Sequence, residues 1–201
     1  MRGEGQRVKL VSRNEHKLRE LRALLPDWEI ALLKADEVPA ETGETFFENA
    51  LAKARFGRSV TGEALWILGE DSGLEVEGLG GRPGIRSARY AGEQATDEEN
   101  VRRLLDELAA IGKEGRRARY VSELVLLSPE LDEQRGTGTL EGWIAEEPRG
   151  AEGFGYDPVF IPEGETQTVA ELGDEWKREH SHRSRAARAL FQAVGEVRQP
   201  M

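Results

Sequence analysis

The stretch ALWILGEDSGLEVEGL, Ala64–Leu79, decides the fold. Its first part, ALWILGE, is a continuous apolar run of strand length, without the alternation of a half-solvated strand. That pattern predicts a central strand covered on both faces. LEVEGL, Leu74–Leu79, does alternate and predicts a further strand. Between them stand two adjacent acids, Glu70 and Asp71. Neighbours on a regular strand point to opposite faces, so both acids reach one ion only if the strand ends there. Gly69 and Gly73 supply the flexibility for such a break. The segment runs on to Gly92 with a further proline and three arginines, Arg82, Arg86 and Arg89. Adjacent negative charge, a permissive backbone and guanidinium groups together are more than a fold needs. A site for a metal ion and a phosphorylated ligand is one place where all three are useful together.

Outward from this strand, RVKLVS (Arg7–Ser12) reads as a first strand. A helix follows from about Glu15, with Leu18, Leu21, Leu24 and Leu25 at helical spacing and Pro26 at its end. WEIALLK (Trp28–Lys34) is a second strand. ETGETFFENALAKARF (Glu41–Phe56) opens a helix with Thr45 and Glu48 in capping-box spacing. Another helix starts near Thr96 or Asp97 and carries Leu104, Leu105, Leu108 and Ile111. ARYVSELVLLSP and RGTGTLEGWIAEEP predict two long strands joined by a turn around Ser128–Asp132. GFGYDPVFIPEG (Gly153–Gly164) is a loop with a short strand. The last helix is capped by Ser181, with Ala187, Leu190, Phe191, Val194 and Val197 as its apolar stripe. Helices mixed with isolated strands and a hairpin predict an α/β fold with a mixed sheet.

Composition narrows the function. With 201 residues, 38% of them hydrophobic, the chain is long enough for a real core in one domain. A net charge of −10 and a pI near 5.0 argue against coating DNA or RNA, which takes a basic face. There is no cysteine, so thiolate nucleophiles, disulfides and cysteine-based zinc sites are excluded, in keeping with a cytoplasmic protein. The first residues, MRGEGQRVKLVS, hold too short an apolar stretch for a signal-peptide core, and no run reaches the length of a membrane span. The P-loop, H-E-x-x-H and G-x-S-x-G signatures are missing. The glycines of 78–84 fail G-x-G-x-x-G because Pro83 holds the third glycine position.

Five polar clusters carry the remaining chemistry. In SRNEHK, which follows a strand and enters a helix, the Ser12 hydroxyl, Lys17 and helix-start amides can hold phosphate oxygens; the plain alternative is a capped helix with a surface lysine. In the second, Asn49 and Lys53 share a helix face at i, i+4, and Glu41 in the preceding loop can reach a metal. Glu70 and Asp71 form the third, at a strand end where α/β sheets present ligand groups; the plain alternative is an ordinary acidic turn. In GFGYDP, glycines allow backbone approach to a planar ring on which Phe154 or Tyr156 can stack; the alternative is a core aromatic beside a turn. In KREHSHRSR, His182 and Arg183 fall in the first turn of the last helix. Cations there oppose the helix dipole unless an anion is near.

The five clusters, in this order along almost the whole chain, resemble the inosine triphosphate pyrophosphatase family, which removes non-canonical purine nucleoside triphosphates. The resemblance implies a two-lobed fold with an elongated mixed sheet, a cleft between the lobes and a homodimer. It places Ser12, Arg13, Asn14, Glu15, His16 and Lys17 in a nucleotide-binding loop. Glu41 and Asp71 become magnesium-binding carboxylates, with Asp71 also the base, Lys53 against the phosphates and Ser72 on the substrate. Phe154, Gly155, Tyr156 and Asp157 surround base and sugar, and Lys177, His182 and Arg183 complete the pocket. Arg13 departs from the small residue common there, Glu70 from a frequent aspartate and Ser12 from a frequent threonine; no catalytic group is lost. The expected reaction is release of pyrophosphate from inosine, deoxyinosine and xanthosine triphosphates. A non-enzymatic nucleotide-binding module and a pyrophosphatase for modified pyrimidine nucleotides are the alternatives. No nucleic-acid partner is expected.

Overall fold

The computed structural model describes residues 6–34, 39–61 and 65–197, with side chains as far as residue 195; Ala64 and the side chain of Val197 lie outside this set. The elements in chain order are β1 Gln6–Val11, α1 Glu15–Leu24, β2 Trp28–Leu32, α2 Phe46–Val60, β3 Trp66–Val76, α3 Asp97–Leu108, β4 Arg117–Leu127, β5 Glu133–Ile144, β6 Phe160–Pro162, α4 Val169–His180 and α5 His182–Val197. The sheet order is β2-β1-β3-β4-β5-β6. β1 runs parallel to β2 and β3, whereas β6 is antiparallel to β5, so the sheet is mixed as the pattern of elements predicted.

The chain forms two compact units. The first takes the described residues up to Asp71, then Ser122–Gly138 and the chain from Arg183 onward; the second is Ser72–Val121 with Thr139–His182. In the first unit the sheet is covered on both faces. Leu18 and Leu21 of α1 and Ala186, Ala187 and Leu190 of α5 pack with Leu10, Leu68 and Leu124. On the other side Ala50 and Ala54 of α2 pack with Val11, Ile67 and Val125. Double coverage is why Ile67 and Leu68 are both fully buried and why the strand shows no polar alternation. The second unit has its own core, in which Leu74 and Val76 of β3 meet Leu104 and Leu108 of α3, Leu140 and Ile144 of β5, and Val159, Phe160 and Val169.

Two expectations need correction. β3 does not stop at the acids; it is one strand of 11 residues from Trp66 to Val76 that includes LEVEGL's first three positions. Gly69 serves helix packing rather than a break. A Cβ there would lie 1.9 Å from the Ala50 carbonyl oxygen and 2.8 Å from the Ala54 amide nitrogen, so only glycine lets α2 sit this close to β3. Gly69→Ala is therefore expected to push α2 outward and cost about 1–3 kcal/mol, read as a lower midpoint in urea unfolding. The second correction is α4, which the sequence reading passed over. Thr168 and Glu171 form a full capping box at its start, but Gly173 breaks the helix with φ 85°, so no continuous periodicity signals it.

The arginine-rich loop after β3 is tied down within the second unit. Glu107 of α3 accepts hydrogen bonds from the Tyr90 hydroxyl at 2.7 Å, from Arg82 at 2.8 Å and from Arg103 at 3.0 Å. This gives Arg82 a bracing role. Burial first, then the Glu107 carboxylate, push the Tyr90 phenol up to about 12. The Glu107 carboxyl lies below its ordinary range, held there by the Tyr90 hydroxyl first and, against the cost of burial, by Arg103 and Arg82. The signs differ. Tyr90's raised value contributes stability that is present below about pH 10 and lost as pH climbs towards 12. Glu107's lowered value contributes stability present above about pH 4.5 and lost below it. Thermal melts across pH should show Tyr90→Phe flattening the alkaline slope and Glu107→Gln flattening the acid one.

Candidate active site

The site in the first unit starts from strand geometry. Because β3 stays regular through Glu70 and Asp71, the two carboxylates leave on opposite faces of the sheet. They enter different environments, and the idea that both serve one ion is overturned.

Asp71 faces α2. One oxygen receives the Lys53 ammonium at 2.9 Å and the other the Asn49 amide at 3.1 Å. Asn49 and Lys53, four residues apart, present these groups from one helix face, and Asn49 is itself oriented by the Gly43 amide at 2.8 Å. Lys53 also meets Glu41 at 2.5 Å and the Glu70 carbonyl oxygen at 3.0 Å. Asp71, Asn49 and Lys53 are all buried, and Glu41 is half-buried. Burial raises the Asp71 carboxyl above its ordinary value, with Glu41 adding to the rise and Lys53 and Lys17 opposing it. For Lys53 the burial cost is overcome by Asp71, Glu41 and Glu70, so its ammonium is held charged. The Asp71 carboxylate is thus gripped by an oriented amide and a charged ammonium in a buried place that raises its proton affinity.

Glu70 faces α1 and α5. Lys17 reaches one carboxylate oxygen at 2.6 Å and Arg183 the other at 3.2 Å. Arg183 also bonds Glu20, making a chain of alternating charge from Lys17 to Glu20. Burial alone would raise the Glu70 carboxyl, but Lys17, Arg183 and Lys53 hold it far below the usual carboxylate range. Glu70 is therefore an anchored charge.

At the start of α1, the Asn14 side chain accepts from the amides of His16 at 2.9 Å and Lys17 at 3.1 Å, and Ser12 accepts from the Asn14 amide at 3.0 Å. The helix-start amides offered to phosphate in the sequence reading are thus taken by an internal cap, while Arg13, Glu15 and His16 are exposed. Lys17 is a partner of Glu70 and not a surface lysine. Arg183 was expected to complete a nucleotide pocket. Its guanidinium is 2% exposed and held by Glu70 and Glu20, which supply the anion that its place at a helix start requires.

The second unit gathers the remaining residues around Asp157. Its carboxylate accepts from Lys177 at 2.7 Å, from the Phe154 amide at 2.9 Å and from the Tyr120 hydroxyl at 3.3 Å. The Lys177 ammonium lies 4.6 Å from the centre of the half-buried Phe154 ring. The Gly155 amide donates to Asp97 at 2.7 Å. Tyr156 is a core residue: it is 4% exposed and its hydroxyl donates to the Ser87 carbonyl at 2.9 Å, so it is not available to stack on a ligand. His182 stacks on Tyr120, with ring centres 4.5 Å apart. Ser72 is half-buried and continues β3. Asn49, marked in the sequence only as sharing a helix face with Lys53, holds Asp71, and Tyr120 was not among the candidates. The i, i+4 relation to Lys53 was the available signal for Asn49; Tyr120 had none, since it reads as an ordinary strand aromatic.

The fold is thus a mixed α/β sheet with a buried aspartate held between a lysine and an amide, and a second carboxylate on the same lysine. Residues 8–193 match the model of the Ham1 family, and the chain belongs to that family. It is 48% identical over 190 residues to the dITP/XTP pyrophosphatase of Symbiobacterium thermophilum, covering 92% of this chain and 93% of the relative. The Staphylococcus aureus Ham1 protein superposes with a TM-score of 0.83 at 36% identity, covering 96% of this chain and all of that one. The dITP/XTP pyrophosphatase of Mycobacterium abscessus gives 0.74 at 41% identity, with 92% and 97% covered.

Proposed function

We propose that this chain hydrolyses inosine, deoxyinosine and xanthosine triphosphates to the monophosphate and pyrophosphate, clearing deaminated purines from the nucleotide pool. The observation that carries this reading is the buried Asp71 carboxylate, held by Lys53 and Asn49 with Glu41 on the same ammonium. The relatives' names supply the substrate class.

In the reaction, Asp71 takes the proton of a water that attacks the α-phosphorus, and pyrophosphate leaves. Lys53 and Lys17 offset the charge that collects on the leaving group. Asn49 fixes the Asp71 carboxylate plane so that an oxygen stays turned to the attacking water. Recognition of the base is assigned to His182 and the 154–157 loop by the resemblance to the family. Hypoxanthine and xanthine carry an acceptor oxygen at C6, which a His182 or backbone N–H donor satisfies. Adenine would leave such a donor unpaired, at a cost of about 1–3 kcal/mol.

The residues fit a divalent cation. The Lys53 ammonium already bridges Glu41 and Asp71, marking a point where two carboxylates share positive charge, with the Glu70 carbonyl oxygen beside it. Among the described residues no group of three or more acidic or histidine side chains surrounds such a point. Two carboxylates with oxygen-only donors suit magnesium, which keeps several waters. Glu41 and Asp71 would hold it, and when bound it polarises phosphoryl oxygens and offsets charge. A cytoplasmic homodimer without nucleic-acid partners completes the reading. The acidic composition argues against a nucleic-acid partner, and the homodimer follows only from the resemblance to the family; among the described residues no helix is long and apolar enough to cross a membrane.

Hydrolysis in ¹⁸O-water tests the reading. Label in the monophosphate is the expected outcome. Label in pyrophosphate or orthophosphate alone would mean attack at another phosphorus and refute it.

A further inference from the structure

We infer that Tyr120 is a positioning residue for base recognition, acting through both His182 and Asp157. The inference rests on assigning the 154–157 loop, Lys177 and His182 to nucleotide binding. Tyr120 lies on β4, and its ring is clamped on two sides. Phe160 of β6 packs at 4.6 Å with a tilt of 46°, and the His182 imidazole lies nearly parallel at 4.5 Å with 8° between planes. The strand and Phe160 set the plane of the tyrosine, and the tyrosine sets the plane of the histidine.

The hydroxyl points to a second task. A phenylalanine would fill the same space, and burying a hydroxyl is unfavourable unless it is bonded. It ends on Asp157 Oδ1 at 3.3 Å, while Oδ2 takes Lys177 and the Phe154 amide. One buried side chain, 7% exposed, thereby links the first residue of α5 to the carboxylate that organises the Phe154–Asp157 loop. Tyr120 need not touch the nucleotide. It holds still the His182 ring and the carboxylate that shapes the Phe154–Asp157 loop.

The test is steady-state kinetics with inosine and adenosine triphosphates on Tyr120→Phe and Tyr120→Leu, beside His182→Ala and Asp157→Asn. Tyr120→Phe keeps the stack and loses the hydroxyl; KM for inosine triphosphate should rise about two- to fivefold with kcat within about twofold. Tyr120→Leu loses both, and KM should rise about tenfold or more. The preference for inosine over adenosine triphosphate should shrink in Tyr120→Leu as it does in His182→Ala. A merely structural role would lower the melting temperature and the active fraction without moving KM or that preference. If the His182 and Asp157 variants raise KM and both Tyr120 variants do not, Tyr120 is core packing and the inference is wrong. If none of the four moves KM or the preference, the recognition reading itself fails and the inference falls with it. Should Tyr120→Leu not fold, KM of Tyr120→Phe decides alone.

Discussion

Asp71→Asn is expected to lower kcat for inosine triphosphate by about 10²–10⁴-fold, the range that a positioned proton acceptor contributes. KM should stay within about threefold, because the charge that holds the phosphates comes mainly from Lys53 and Lys17. The fold should tolerate the change. Burial makes the ionised Asp71 carboxylate costly, so a neutral side chain relieves that cost. Against this, the asparagine amide would face the Asn49 amide, which cannot turn over while the Gly43 N–H holds its oxygen. Lys53 also loses its principal counter-charge and keeps Glu41, so stability is expected to fall by about 1–3 kcal/mol while the fold survives. A folded variant that turns over at a near-normal rate would remove Asp71 from the chemistry.

The adjacent carboxylate should behave in the opposite way. Glu70→Ala takes one carboxylate from the buried Arg183 guanidinium and the same carboxylate from Lys17. Breaking a buried ion network by deleting one member costs about 3–5 kcal/mol. For a chain of this length that lowers the melting temperature by roughly 10 °C. The double variant Glu70→Leu with Arg183→Met should recover part of the loss, since apolar replacement of a buried pair is often neutral. Loss in the double variant equal to the sum of the single losses would show that the two charges are not coupled. Two neighbouring acids thus differ in their main effect because a regular strand sends them to opposite faces: Asp71 acts on rate, whereas Glu70 acts first on stability and, by holding Lys17, also on rate.

Much of this was legible in the residues. The unalternating run around Ile67 and Leu68 announced a doubly covered strand, and the Thr45–Glu48 pair announced the helix that carries Asn49 and Lys53. Their i, i+4 spacing put amide and ammonium on one face, and the structure brings that face onto Asp71. What was hidden depends on groups far apart in the chain. Gly69 resembles a breaker, yet its reason is the backbone of α2 pressed against it. Arg183 was legible as a cation in want of an anion, but Glu70 lies 113 positions away and no local pattern names it. Tyr156 and the Asn14 cap likewise look available for a ligand until their partners, the Ser87 carbonyl and two helix amides, are placed beside them.

The most direct measurement is product-resolved specificity with magnesium: kcat/KM for inosine, xanthosine, guanosine and adenosine triphosphates, each scored as monophosphate plus pyrophosphate or diphosphate plus orthophosphate. The account predicts pyrophosphate as the sole inorganic product and inosine and xanthosine triphosphates favoured over adenosine triphosphate by about tenfold or more, the worth of one unpaired buried donor. Equal constants for inosine and adenosine triphosphates, or release of orthophosphate, would contradict it.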